Sequence, residues 1–118
     1  MSRDHPERRL LIAVAEYLAI MAHPNVVWSH FPAGELRTKA TAALLTRCGL
    51  RPGWPDLILI RDGGVYGLEL KTGRVRQSKA QKQVERQFIE AGAIYILCRG
   101  WDETIAALEH HDLVKEGR

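Results

Sequence analysis

Apolar positions along this chain change their spacing from one segment to the next, and the changes mark out eight elements. From Leu10 to Ala22 ("LLIAVAEYLAIMA") nearly every position is apolar and Glu16 supplies the one carboxyl group. Pro6 and Glu7 suit the first turn of a helix there, and His23-Pro24 stops it. A helix apolar almost all round is expected to be buried, which would leave Glu16 needing a partner inside the protein. "VVWSHF" (26–31) predicts a strand broken by Pro32 and Gly34. In "LRTKATAALLTRCG" (36–49), Ala40, Ala43, Leu44 and Leu45 fall near helical spacing and Gly49 is a suitable C-cap. "GWPDLILIRDGGVYGLELK" (53–71) reads as two strands joined at Asp62-Gly63. "SKAQKQVERQFIEAG" (78–92) carries Ala80, Val84 and Phe88 on one helical stripe and ends at Gly92. "AIYILC" (93–98) predicts a buried strand, and "WDETIAALEHH" (101–111) a last helix with Asp102 as N-cap. Helix, strand, helix, strand, strand, helix, strand, helix describes an α/β protein with a mixed sheet flanked by helices.

At 118 residues the chain suits one domain, 1–118, and is too short for two. Hydrophobic residues at 46% and charged residues at 26% are ordinary for a globular protein and argue against disorder. The formal charge is only +3, but it is unevenly placed. Residues 71–86 carry six basic side chains against one acid, Glu85; residues 36–51 carry four and no acid; the tail from 102 carries five acids against two bases. A basic half of this kind suits a polyanion such as nucleic acid, although a solvated charged surface explains the charge equally well. Cys48 and Cys98 form neither a disulfide framework nor a metal motif, and are expected to be reduced, half-buried thiols in a cytoplasmic protein. The five histidines show no ligand spacing, so no three-His or His-Cys centre is supported. The apolar run at 10–22 is interrupted by Glu16, lacks a following cleavage site and is too short to span a bilayer.

The hairpin raises the chemical question, because its apolar arms contain Asp56, Glu69 and Lys71. A turn at Asp62-Gly63 pairs Arg61 with Gly64 and, counting outward, places Asp56 opposite Glu69. Opposed residues share a face with Cβ atoms roughly 4.5–5.5 Å apart, and alternation brings Lys71 to that face while Leu70 points away. Two ionised carboxylates so close repel, and a hard divalent cation accepting oxygen from both would resolve the repulsion. The bound ion would acidify a water and offset charge on a phosphate under in-line attack, with Lys71 orienting the water or stabilising the transition state. The plain alternative is a solvent-facing hairpin whose charges pair across the strands.

Three features favour the chemical reading. Glu16, expected to be buried, would be a third acid at the site, against the alternative of a structural salt bridge. Ser78-x-x-Gln81 opens the helix that follows; a capping box explains it, and Gln81 would also border the site. The cluster "KTGRVRQSKAQKQ" places Arg74, Arg76, Lys79 and Lys82, with Ser78 among them, where DNA phosphates flanking a cut would lie.

Taken in order, Glu16 in the first helix, Gly53-x-Pro55-Asp56-Leu57, Glu69-x-Lys71 and Ser78-x-x-Gln81 resemble the VRR-NUC (virus-type replication-repair nuclease) family of the PD-(D/E)XK nuclease superfamily. The resemblance runs from about Glu16 to Glu109. It implies a restriction-endonuclease-like core and dependence on Mg²⁺ or Mn²⁺, with Asp56, Glu69 and the Leu70 carbonyl as metal ligands. It also implies Lys71 in catalysis, Glu16 and Gln81 lining the site, and DNA-facing roles for His30 and Arg37. Ala33 and Glu35 depart from the family form in that last stretch. Phage-like members of this size resemble homodimers that cut branched DNA, Holliday junctions included, which would place this chain in a bacterial cytoplasm as a phage or prophage product. Two rival expectations stand beside this one: another PD-(D/E)XK nuclease acting on duplex or flap DNA, and a DNA-binding module that keeps the fold without cutting.

Overall fold

The computed structural model describes residues 5–32 and 38–116. Its elements follow the predicted order: α1 (Pro6–Met21), β1 (Val27–His30), α2 (Lys39–Arg47), β2 (Leu57–Arg61), β3 (Gly64–Lys71), α3 (Lys79–Glu90), β4 (Ile94–Arg99) and α4 (Gly100–His110). The four strands form one sheet in chain order, antiparallel across β1-β2 and β2-β3 and parallel across β3-β4. A parallel neighbour requires a crossover, and α3 supplies it.

The hairpin register is the predicted one, with Arg61 opposite Gly64 and Leu57 opposite Leu68. Asp62 and Gly63 both hold positive φ, 50° and 81°, the conformation of a two-residue turn that matches strand twist. Continuing the register brings Asp56 level with Glu69.

Helices α1 and α4 cover one side of the sheet. Leu10, Val14 and Leu18 form a single stripe on α1 and meet Leu57, Leu59, Leu68, Leu70, Cys98 and Leu108 in the main core. Burial pushes the Cys98 thiol up to about 11, so it is an inert core group. Helix α3 covers the other side, packing Val84 and Phe88 on Tyr95 with Trp54 against them. After α4 the chain returns to α1 through the Lys115 N–H donating to the Met21 carbonyl at 2.7 Å. No helix among the described residues is long and apolar enough to cross a membrane.

Four local expectations are corrected. Helix α1 is not buried all round: Ile12 is 51% and Ile20 71% exposed, because only one stripe faces the core. Helix α2 buries none of Ala40, Ala43, Leu44 or Leu45. The N-cap of α4 is Arg99, not Asp102; the Glu103 carboxylate accepts the Arg99 N–H at 2.8 Å, so an acid one turn in replaces the cap. The two thiols are not alike, Cys48 being exposed and Cys98 buried.

Candidate active site

Asp56 stands at the entrance to β2 and is held from both ends. Its carbonyl accepts the Phe31 N–H at 2.8 Å and the His30 Nδ1–H at 2.7 Å. Its Oδ2 accepts the Leu70 N–H at 2.7 Å. Burial raises the Asp56 pKa, the Leu70 hydrogen bond pulls against it, and the negative charge of Glu69 raises it further. The Asp56 carboxylate therefore senses the charge of Glu69, which lies level with it across the hairpin.

Glu69 is 1% exposed. Its Oε1 accepts a close hydrogen bond from the Tyr95 hydroxyl and a long one, 3.4 Å, from Gln77 Nε2. Its Oε2 is buried without a hydrogen bond, and Lys71 Nζ lies 3.6 Å away at ion-pair distance. Burial and the Glu69 carboxylate keep the Tyr95 hydroxyl protonated well above its usual range, so it remains the donor. A buried carboxylate oxygen without a hydrogen bond is costly even with an ion-pair partner at this distance. This one lies beside a second, partly buried acid, and the residues present fit a divalent cation at this end of β2 and β3. Asp56 and Glu69 are the carboxylates that would hold it, with the Leu70 carbonyl between them in sequence. Among the described residues no group of three or more His, Cys, Asp or Glu side chains is placed to hold a metal ion.

A cleft of about 530 Å³ opens beside Asp56, its wall including Leu70, Ser78 and Gln81. Glu69 and Lys71 are buried and are not among the residues that line it. The Ser78-Gln81 capping box is complete: the Ser78 hydroxyl accepts the Gln81 N–H at 3.1 Å, and the Gln81 side-chain oxygen accepts the Ser78 N–H at 2.8 Å. The capping reading therefore holds, and Gln81 is also part of the cleft wall. Gly53 explains the Gly-x-Pro-Asp spacing. It holds φ +88°, and a Cβ there would come 2.5 Å from both the carbonyl carbon and oxygen of Ala80. Only glycine lets this loop touch the opening of α3.

Glu16 is exposed on α1 and does not line the cleft. The expectation of a buried third acid there is overturned by the one-sided packing of the helix. The α1 acid at the cleft is Glu7, with His5 and Arg8 beside it, and its charge contributes to raising the Asp56 pKa. The available signal was its place in the first helical turn, where an acid also suits the helix dipole. Arg74, Arg76, Lys79 and Lys82 are all exposed. The loop that carries Arg74 and Arg76 is shaped by Arg99, which donates to the Val75 carbonyl at 2.6 Å and the Gly73 carbonyl at 3.3 Å. His30 lines the cleft and braces Asp56; Arg37 lies outside the described residues.

Comparison with known proteins gives a fold. A solved structure described as a VRR_NUC domain protein superposes with a TM-score of 0.74 over 95% of this chain and 93% of that one, at 20% sequence identity. No protein-family model matches the chain, and no curated protein does. The chain thus has the fold of that VRR_NUC domain protein, an α/β fold with a mixed sheet flanked by helices, as the ordered motifs implied.

Proposed function

We propose that this protein is a VRR-NUC-type, Mg²⁺- or Mn²⁺-dependent endodeoxyribonuclease that hydrolyses phosphodiester bonds in branched or otherwise structured DNA. The observation that carries the reading is Glu69 Oε2, a buried carboxylate oxygen with no hydrogen bond, 3.6 Å from Lys71 Nζ and level in the hairpin with Asp56, which itself lines the cleft. A bound divalent ion would supply an acidified water and positive charge against the phosphate. Asp56 and Glu69 would hold it, each already fixed by hydrogen bonds to backbone or to Tyr95. The amine of Lys71, 8% exposed and 3.6 Å from Glu69 Oε2, would lie close to where a phosphate gains negative charge. Gln81 and Glu7 border the space from two helices. The exposed cations from Arg74 to Lys82 would contact flanking phosphates, giving affinity that falls steeply with salt.

A homodimer would present two such sites to two strands by symmetry. Support for it comes from apolar surface left open: α2, and the sheet face where Val27 and Ile60 pair, both more than a third exposed.

The test is incubation of a labelled four-way junction and a linear duplex of matched sequence with and without Mn²⁺, beside titration of the protein with Mn²⁺ followed by electron paramagnetic resonance. Cleavage and Mn²⁺ binding should both be lost in Asp56→Asn, with DNA binding retained in EDTA. Mn²⁺ binding that survives in Asp56→Asn would remove the metal assignment, and DNA binding without cutting under any divalent ion would favour the non-cutting module.

A further inference from the structure

The cleft beside Asp56 is larger and more apolar than an ion and a phosphate need. Its volume is about 530 Å³, while a cation, a handful of waters at about 30 Å³ each and a phosphate fill on the order of 200 Å³. Besides its polar groups, the lining includes Phe31, Pro32, Pro52 and Trp54.

The two aromatic rings are set firmly. Phe31 and Trp54 have centroids 5.2 Å apart at a tilt of 43°, and Trp54 is braced edge-on by Phe88 at 5.1 Å. Phe88 in turn meets Tyr95 at 5.6 Å. The Phe31 N–H is bonded to the Asp56 carbonyl, so this ring has a fixed place relative to the candidate metal ligand. Trp54 joins the cluster under α3, while Phe31 meets that cluster only through Trp54 and itself belongs to neither apolar cluster of the described residues. A large half-buried aromatic held at a cleft and unused by the core is placed for a ligand with a flat apolar face.

We infer that Phe31 and Trp54 form a stacking site for one unpaired nucleobase of the strand whose phosphate lies at Asp56. The position of that phosphate rests on the nuclease reading above; the stacking site itself needs no metal. Single strands are held elsewhere by this same pairing of basic groups along the backbone with aromatic faces for the bases, and the exposed cations of the 74–82 segment are the basic half here. A base inside a duplex already stacks on its neighbours, and bringing it out costs least where it is unpaired. The chain therefore selects DNA with an unpaired nucleotide at or beside the cut over continuous duplex.

The experiment uses the full chain in EDTA, titrated into a single strand carrying 2-aminopurine and into the matched duplex. The wild-type protein should alter 2-aminopurine fluorescence in the single strand by stacking. Phe31→Leu, which keeps apolar bulk and removes the π face, should abolish that change and weaken single-strand affinity roughly tenfold while leaving duplex affinity alone. Phe31→Trp should restore both. No fluorescence change with wild type, an unaffected Phe31→Leu, or an equal loss on single strand and duplex would overturn the inference. EDTA keeps the two readings apart: stacking without any cleavage in Mn²⁺ refutes the nuclease and spares the base site, and cleavage without stacking does the reverse.

Discussion

Strand β3 buries five consecutive residues, Gly67 to Lys71, and gives its two sides opposite chemistry. Leu68 and Leu70 enter the core beneath α1 and α4. Gly67, Glu69 and Lys71 turn toward α3, where Gly67 leaves room for Pro55 and Phe88, and Glu69 meets Tyr95. Burial is equal on the two sides, so burial alone does not separate structure from function. What separates them is cost: two leucines stabilise the fold by leaving water, whereas a buried Glu-Lys pair with an unbonded oxygen recovers little of its desolvation.

Substitutions can break this contrast in a graded way. The largest effect is expected from Glu69→Gln, which should lower Mn²⁺-supported cleavage by the folded protein by about 10³-fold; it also takes the ion-pair partner from buried Lys71, so the denaturant midpoint should fall as well. Undiminished cleavage by the folded fraction would instead make Glu69 a structural residue. Leu68→Ala should act on stability alone, costing about 2–5 kcal/mol in chemical denaturation while the folded fraction still binds Mn²⁺. Tyr95→Phe should sit between the two, weakening Mn²⁺ affinity by roughly 10–100-fold through the loss of the hydroxyl that orients Glu69. In EDTA, Asp56→Asn should melt higher than wild type near neutral pH. The Asp56 pKa is raised in the folded state, so the folded protein takes up protons before the unfolded chain does, and wild-type stability rises as pH falls through that raised value. The advantage of the variant should accordingly shrink on acidification, and an advantage independent of pH would contradict the burial of this carboxylate. Smallest of all, exposed Glu16→Gln should change stability by no more than about 0.5 kcal/mol and leave cleavage unchanged, while Glu7→Gln should impair cleavage.

Much of this arrangement is legible in the residues. Asp-Gly between apolar arms defines both the turn and the register, and through them which charges share a side. Ser78-x-x-Gln81 states its own cap. Helix α1 shows why the rest was harder to read. Its composition resembles a buried rod, but a domain this small has too little interior to surround a helix, and Ile12 and Ile20 remain at the surface. One-sided packing leaves Glu16 in solvent and makes Glu7 the α1 acid at the cleft, a position that depends on where the helix begins in space. Phe31 was likewise unremarkable in sequence, because its partner Trp54 lies on the far side of α2.

The contact at Gly53 ties together parts that the chain keeps far apart in order. Because a single methyl group would collide with the main chain of Ala80, the loop entering β2 and the start of α3 behave as one piece, and the spacing of Asp56 from Gln81 is set by an absent side chain. Neither segment is free to drift alone: lengthening the loop or shifting the helix by a residue would reposition a carboxylate and an amide together. Attempts to retune this protein for a different strand geometry would therefore have to move both sides of that joint at once.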